Sequence, residues 1–269
     1  MYEEPYRWVE AVGNRRQYLD DQFKQGSPVI GVACDTGILL MTMSKGTPKL
    51  YEIYDRLALG GMGHPADLEK LRFNLLEMAH VEGFNRSPSD VTGSRMVKYG
   101  IAPVIKQAFE EVFKAPFIVK ILLAELGLKA GKDRFLTINF DGTFEEKGQY
   151  AVLAGSAAIE QEMMAFLGPQ SVVSLEQALD AAVCAWAVGD RAQRRTLEES
   201  GERPQAQEGV GPVVSDPKLL YEHIRRRMPD MTMECAVLDR QRPSASKYRA
   251  FDPDELARLL PTDLGRLTA

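Results

Sequence analysis

Residues 29–63 read VIGVACDTGILLMTMSKGTPKLYEIYDRLALGGMG, and this stretch decides the architecture. Val29, Gly31 and Ala33 alternate with Ile30 and Val32, so both faces of the opening strand are apolar and neither suits water. Asp35-Thr36-Gly37 is a turn signal. Residues 38–43 are again apolar on both faces, and Ser44-Lys45-Gly46-Thr47-Pro48 turns the chain a second time. Lys49 then opens a third strand, expected to run through Ile53 and Leu57 to Gly60-Gly61. The lysine at the strand entrance and the glycines at its exit, Gly60, Gly61 and Gly63, have chemical potential.

Outward from this core the pattern alternates between helices and strands. Before it, residues 5–24 read as an amphipathic helix, with Trp8, Val12, Leu19 and Phe23 on one stripe and Gln25-Gly26 ending it. After it, residues 65–83 form a helix with Leu68, Leu71, Leu75, Leu76 and Ala79 inward and Pro65 in the first turn. A second helix is expected over about 90–114, bent at Pro103, which has no N–H to donate. Residues 115–125 and 134–140 return to strand, with a turn at Asp141-Gly142, and 150–154 is a short strand. Residues 156–167 form a helix stopped by Gly168-Pro169, and Ser174 with Gln177 caps another that reaches about Val188. Trp186 and Cys184 read as core.

Residues 191–217 hold Pro, Gly, Gln, Glu and Arg with few apolar side chains, and are expected to be a flexible insertion. A short helix over 218–228, strands over 231–238 and 247–251, and a terminal helix from Asp252 to Leu260 complete the chain. Strands apolar on both faces, with helices arriving in pairs, suit two stacked sheets between two helix layers.

The chain has 269 residues, 45% of them hydrophobic, enough for one sizeable core. A net charge of -5 and a pI near 5.4 argue against nucleic acid or an anionic membrane as main partner. Cys34, Cys184 and Cys235 have no metal-site spacing and cannot all pair, which fits buried thiols in a reducing cytoplasm. No apolar run approaches the roughly 18 residues of a membrane span. The opening MYEEPYRWVE is charged and aromatic, unlike a signal peptide. His64 and His80 are isolated, so no metal is expected, and no cofactor.

The stretch PKLYEIYDRLALGGMG resembles the lysine strand of the proteasome subunits, within the N-terminal-nucleophile hydrolase superfamily. SPSDVTG at 87–93, APFIVKILLAELG at 115–127 and ECAVLDRQRP at 234–243 are similar to further segments of that family, in order. The α-type subunit of bacterial proteasomes is the nearest match. The resemblance implies one α+β domain over 1–269, a four-layer αββα sandwich with an extra N-terminal tail and helix (1–26) and a C-terminal helix and tail (250–269). It implies a non-catalytic subunit of an outer ring, with seven copies. Its partners would be neighbouring α subunits, β-type subunits and a ring-shaped ATPase activator. Met1, Tyr2, Glu3, Glu4 and Pro5 would form the gate at the ring axis.

An N-terminal-nucleophile hydrolase needs a free α-amine on its nucleophile, a nearby base and backbone N–H groups for the oxyanion. By the family's spacing, counting back from Gly31 lands on Ser27, which follows Gly26 and precedes Pro28. Ser27 reads either as a turn residue after a helix or, in the alternative, as the nucleophile of a divergent hydrolase after removal of residues 1–26, with Lys49 and Asp190 assisting. Met43 stands where the family has its acidic residue, and Ala154 and Gln193 fall near its supporting hydroxyls. A buried apolar Met43 offers Lys49 no charge there. The resemblance gives Lys49 another use, as receiver of an activator's C-terminal carboxylate, with Gly63 lending backbone N–H groups. The bland reading of Lys49 is a solvated strand-end lysine. Lys120, inside an apolar strand, would face a subunit contact or a central chamber.

Overall fold

Strands apolar on both faces need a partner on each side, and the fold supplies both. The computed structural model describes residues 5–111, 113–199, 216–261 and 264. One antiparallel sheet has the order β10-β9-β2-β1-β8, from Tyr248–Ala250, Thr232–Asp239, Gly37–Ser44, Val29–Cys34 and Tyr150–Leu153. The other has the order β3-β4-β5-β6-β7, from Leu50–Tyr54, Leu57–Gly63, Val119–Glu125, Arg134–Ile138 and Phe144–Lys147. Helices α5 (Ala157–Leu167) and α6 (Leu175–Glu199) pack on the first sheet. Helices α2 (Pro65–Asn85) and α4 (Ala102–Glu110) pack on the second. The result is a four-layer αββα sandwich, with α1 (Pro5–Phe23) added at its start.

Alternation assigns each strand residue to a layer. On β1, Ile30 and Val32 enter the core under α5 and α6, while Val29 enters the core between the sheets. On β2, Leu39, Met41 and Met43 face the helices, and Ile38 and Leu40 face the opposite sheet. On β5, Val119, Ile121 and Leu123 face α2, and Leu122 and Ala124 face inward. Gly31 lets the sheets approach: a Cβ there would lie 2.5 Å from the Phe135 ring.

Three expectations are corrected. The single strand expected from Lys49 to Gly61 is a hairpin, β3 and β4, turning at Asp55-Arg56 without Gly or Pro. The helix expected over 90–114 is segmented into a short turn Pro88–Asp90, α3 (Gly93–Arg95), a π-helical turn Met96–Ile101, and α4. The π turn sits just before Pro103: Ala102 N–H reaches back to Val97 O, and Pro103 has no N–H to give. Finally, α6 runs on to Glu199, so the stretch expected as an insertion from residue 191 begins as helix. Ala192 and Leu197 are buried there, and Arg194 and Arg195 pair with Asp190 and Glu162. Residues 200–215 lie outside the described residues, and Pro217 opens α7 (Pro217–Arg227) behind an Asp216 cap.

Helix α1 lies across one end of the sandwich. Leu19 and Phe23 are buried between the sheets, whereas Trp8, from the same expected stripe, is 47% exposed. Arg15 ties the helix down by donating to the carbonyls of Ala108, Phe109, Glu111 and Lys114 at 2.7–3.0 Å. The first three lie at the C-terminal end of α4, where helix carbonyls run out of backbone donors, and Lys114 lies just beyond it. Arg16 pairs with Asp141 at 2.9 Å and lies over the Phe109 and Phe140 rings. Met1, Tyr2, Glu3 and Glu4, four of the expected gate residues, lie outside the described residues, and Pro5 starts the helix. No helix among the described residues is long and apolar enough to cross a membrane.

Candidate functional site

At the α1 end of the sandwich the sheets part around a cleft of about 380 Å³. The strand ends that meet there bring together three of the residues singled out in the sequence: Ser27 before β1, Lys49 before β3, and Gly63 at the end of β4. Lys45, Thr47, His64, Ile118 and Met231 also line it.

Ser27 is tied down on every side that the described residues show. Its Oγ accepts the indole N–H of Trp186 at 2.9 Å, with Trp186 wholly buried. Gly26 O accepts from Gln193 Nε2 at 3.0 Å, and Pro28 O accepts from Thr42 Oγ1 at 2.7 Å. Gly26 N–H closes the turn onto Phe23 O. An oxygen that accepts a buried indole N–H is oriented by packing. Its nitrogen is the peptide nitrogen joined to Gly26, whereas the nucleophile of the hydrolases carries a free amine.

Lys49 is half-buried at the cleft. Burial pulls its ammonium below the ordinary lysine value, and the Glu234 carboxylate offsets part of that fall. Its backbone N–H donates to Glu234 Oε2 at 2.8 Å. Its carbonyl accepts from Gly61 N–H at 2.9 Å, which continues the β3–β4 ladder past the strand end. Among the described residues its ammonium makes no direct ion pair.

Gly63 has φ +131, and a Cβ there would lie 2.0 Å from Ile118 O, so only glycine fits between β5 and the cleft. The amides expected to serve a carboxylate are largely engaged. His64 N–H donates to Ile118 O, Ala66 N–H to the His64 ring, and Asp67 N–H to His64 O. The lysines that line the cleft are Lys49 and Lys45.

Asp190 does not line this cleft. It is buried on α6, where it accepts from His223 Nε2 at 2.8 Å, Arg227 Nε at 3.1 Å and Arg194 Nε at 3.1 Å. Burial pushes its carboxyl up, but the His223 bond and the charges of Arg227, His223 and Arg194 outweigh that and hold it below the ordinary value. Met43 is wholly buried in the core under α5 and α6. Lys120 points between the sheets, 6% exposed, donating to Ala154 O at 2.9 Å and reaching Glu160 at 3.4 Å. It lies over the Phe23 ring and borders a second cavity of about 610 Å³.

A sequence profile described as "Proteasome subunit" matches residues 23–193, which hold the cleft's strands, α2, α5 and most of α6. The chain belongs to the proteasome subunit family. Its similarity is to α-type members. The "Proteasome subunit alpha" of Thermobifida fusca is 28% identical over 255 residues, 93% of this chain and 87% of that one. That of Streptosporangium roseum is 28% identical over 262 residues, 95% and 86% of the two chains. That of Pseudarthrobacter chlorophenolicus is 30% identical over 176 residues, 62% and 72% of the two chains.

Within this proteasome-type site, sequence reasoning missed Glu234 and Lys45, and read Trp186 only as core. Glu234 stands 185 positions from Lys49 and Trp186 159 from Ser27, so no local pattern links them. Glu234 left one clue: it is a charged residue opening the apolar run CAVL, which a strand tolerates only with a partner.

Proposed function

We propose that this proteasome subunit is non-catalytic and forms, with further copies, the outer ring of a cytoplasmic particle, seven to a ring. In this reading the ring restricts entry to a chamber built by β-type subunits, and its Lys49 clefts dock a ring-shaped ATPase. The whole chain, 1–269, acts as one domain, with neither nucleic acid nor membrane as partner.

One contrast within the cleft supports this most. The hydroxyl that could attack is turned into an acceptor for Trp186, while the cation that could hold a carboxylate has no direct ion pair among the described residues. No observation favours hydrolysis by Ser27. A charge-assisted hydrogen bond to Lys49 contributes about 1.5–3 kcal/mol. Repeated around a ring, such contacts reinforce one another.

Lys49→Ala should leave the assembled particle intact and abolish ATPase-dependent protein degradation, while ATPase-independent peptide hydrolysis by the β-type subunits continues. Unchanged ATPase affinity in the variant would overturn the docking role. Removal of residues 1–5 should speed breakdown of unfolded polypeptides several-fold and of short peptides little. Equal effects on the two substrates would remove the gate from the proposal.

A further inference from the structure

Glu234 belongs to β9 of one sheet, opposite Thr42 on β2, yet its carboxylate crosses to the entrance of β3 in the other sheet. There Oε2 accepts the Lys49 N–H at 2.8 Å, and Oε1 is buried with no hydrogen-bond partner among the described residues. An orphaned carboxylate oxygen is costly, so its place calls for a reason. The rest of the strand entrance is held by neutral groups: Tyr51 OH donates to Pro48 O at 2.7 Å, and Tyr248 OH to Leu50 O at 3.3 Å.

We propose that Glu234 is the positioning residue of the docking cleft, fixing the Lys49 backbone through one oxygen and setting a carboxylate at the base of the Lys49 side chain. This rests on the reading of Lys49 as receiver of a partner's C-terminal carboxylate. A tight ion pair would occupy the ammonium and set it against any incoming carboxylate. A carboxylate bonded to the backbone instead supports the charge from nearby and leaves the ammonium's N–H donors for the ligand.

The other titratable groups that feel Glu234 are Tyr51 on β3, Tyr248 on β10 and Cys235 beside it on β9. Burial pushes both tyrosines up to about 12, and Cys235 upward too, so all three are neutral near pH 7. The Glu234 charge therefore acts on Lys49.

The test compares wild type, Glu234→Gln and Glu234→Asp in the assembled protein. Gln keeps an oxygen for the Lys49 N–H and removes only the charge; Asp keeps the charge on a shorter side chain. The first readout is acylation of the Lys49 amine by acetic anhydride against pH, followed by mass spectrometry. Glu234→Gln should make Lys49 react several-fold faster near pH 8, because more of the amine is neutral, and Glu234→Asp should restore the slower rate. The second readout is binding of a fluorescein-labelled peptide ending Leu-Ala with a free carboxylate, beside the same peptide as its C-terminal amide. Glu234→Gln should weaken the carboxylate form as pH rises and leave the amide form unchanged.

An unaltered Lys49 acylation profile in Glu234→Gln overturns the proposal, whatever the peptide does. A shifted profile with peptide binding that ignores Lys49→Ala overturns docking and leaves the charge-keeping role standing. Should Glu234→Gln fail to fold, a fast-reacting Lys49 in a folded Glu234→Asp variant overturns the proposal in its place.

Discussion

Asp190 and Lys49 both titrate below their ordinary values, and this means opposite things for the fold. For Asp190, burial raises the carboxyl, but His223, Arg227 and Arg194 more than reverse it. The folded state thus prefers the charged form, and folding gains stability from it. For Lys49, burial lowers the ammonium and Glu234 only partly compensates. The folded state then disfavours the charged form, and folding loses stability whenever the amine is protonated. One region is a clamp whose charge is fully used inside the chain. The other holds an ammonium with no direct ion pair among the described residues, which fits the proposed role in receiving a ligand.

The largest loss is expected from Asp190→Asn. It leaves Arg227, Arg194 and His223 converging on a neutral amide and loosens α7 from α6. The expected loss is about 3 kcal/mol at pH 7, the scale of removing one partner from a buried pair. The folded pKa of Asp190 lies below the unfolded one, so its contribution is complete above the ordinary carboxylate value. It fades as pH falls below that value toward the folded one. Denaturant melts at pH 7 and near pH 3 should therefore differ less in Asp190→Asn than in wild type. Parallel losses in both proteins would show that Asp190 is not the acid-sensitive clamp.

A smaller effect separates Ser27 from both. Ser27→Ala removes the acceptor of a wholly buried indole N–H and should cost about 1–2 kcal/mol. Docking of an ATPase should not change. Loss of peptide hydrolysis in the isolated chain would return Ser27 to the role of nucleophile.

The layers could be read from the sequence because each strand carries its own two-faced pattern: Ile30 and Val32 against Val29, Leu39 and Met41 against Ile38 and Leu40. The β3–β4 hairpin could not, because Asp55-Arg56 has no Gly or Pro and apolar residues flank it closely on both sides, Ile53 before and Leu57 after. The end of α6 was hidden for a different reason. Its Arg194 and Arg195 look like loop residues until Asp190 and Glu162, one turn back and on α5, are seen to pair with them. In the cleft, Lys49 and Gly63 stood out by their turn positions. Glu234 did not, because its bond to Lys49 spans two sheets and most of the chain.

The smallest expected effect has the opposite sign. Lys49→Met replaces a half-buried ammonium by an apolar side chain of similar length. The folded pKa of Lys49 lies below the unfolded one, so between the two values the unfolded chain binds more protons and stability rises with pH. Below the folded value the cost is present in full. Lys49→Met should therefore match wild type or exceed it, by less than about 1 kcal/mol, since the side chain still meets solvent at the cleft. Wild type should gain stability as pH is raised toward the ordinary lysine value, and the variant should gain less. Chemical denaturation at pH 7 and pH 9.5 measures both. A destabilised Lys49→Met would mean that the ammonium already works within the fold, as the Asp190 carboxylate does, and the cleft would lose the unspent charge on which docking depends.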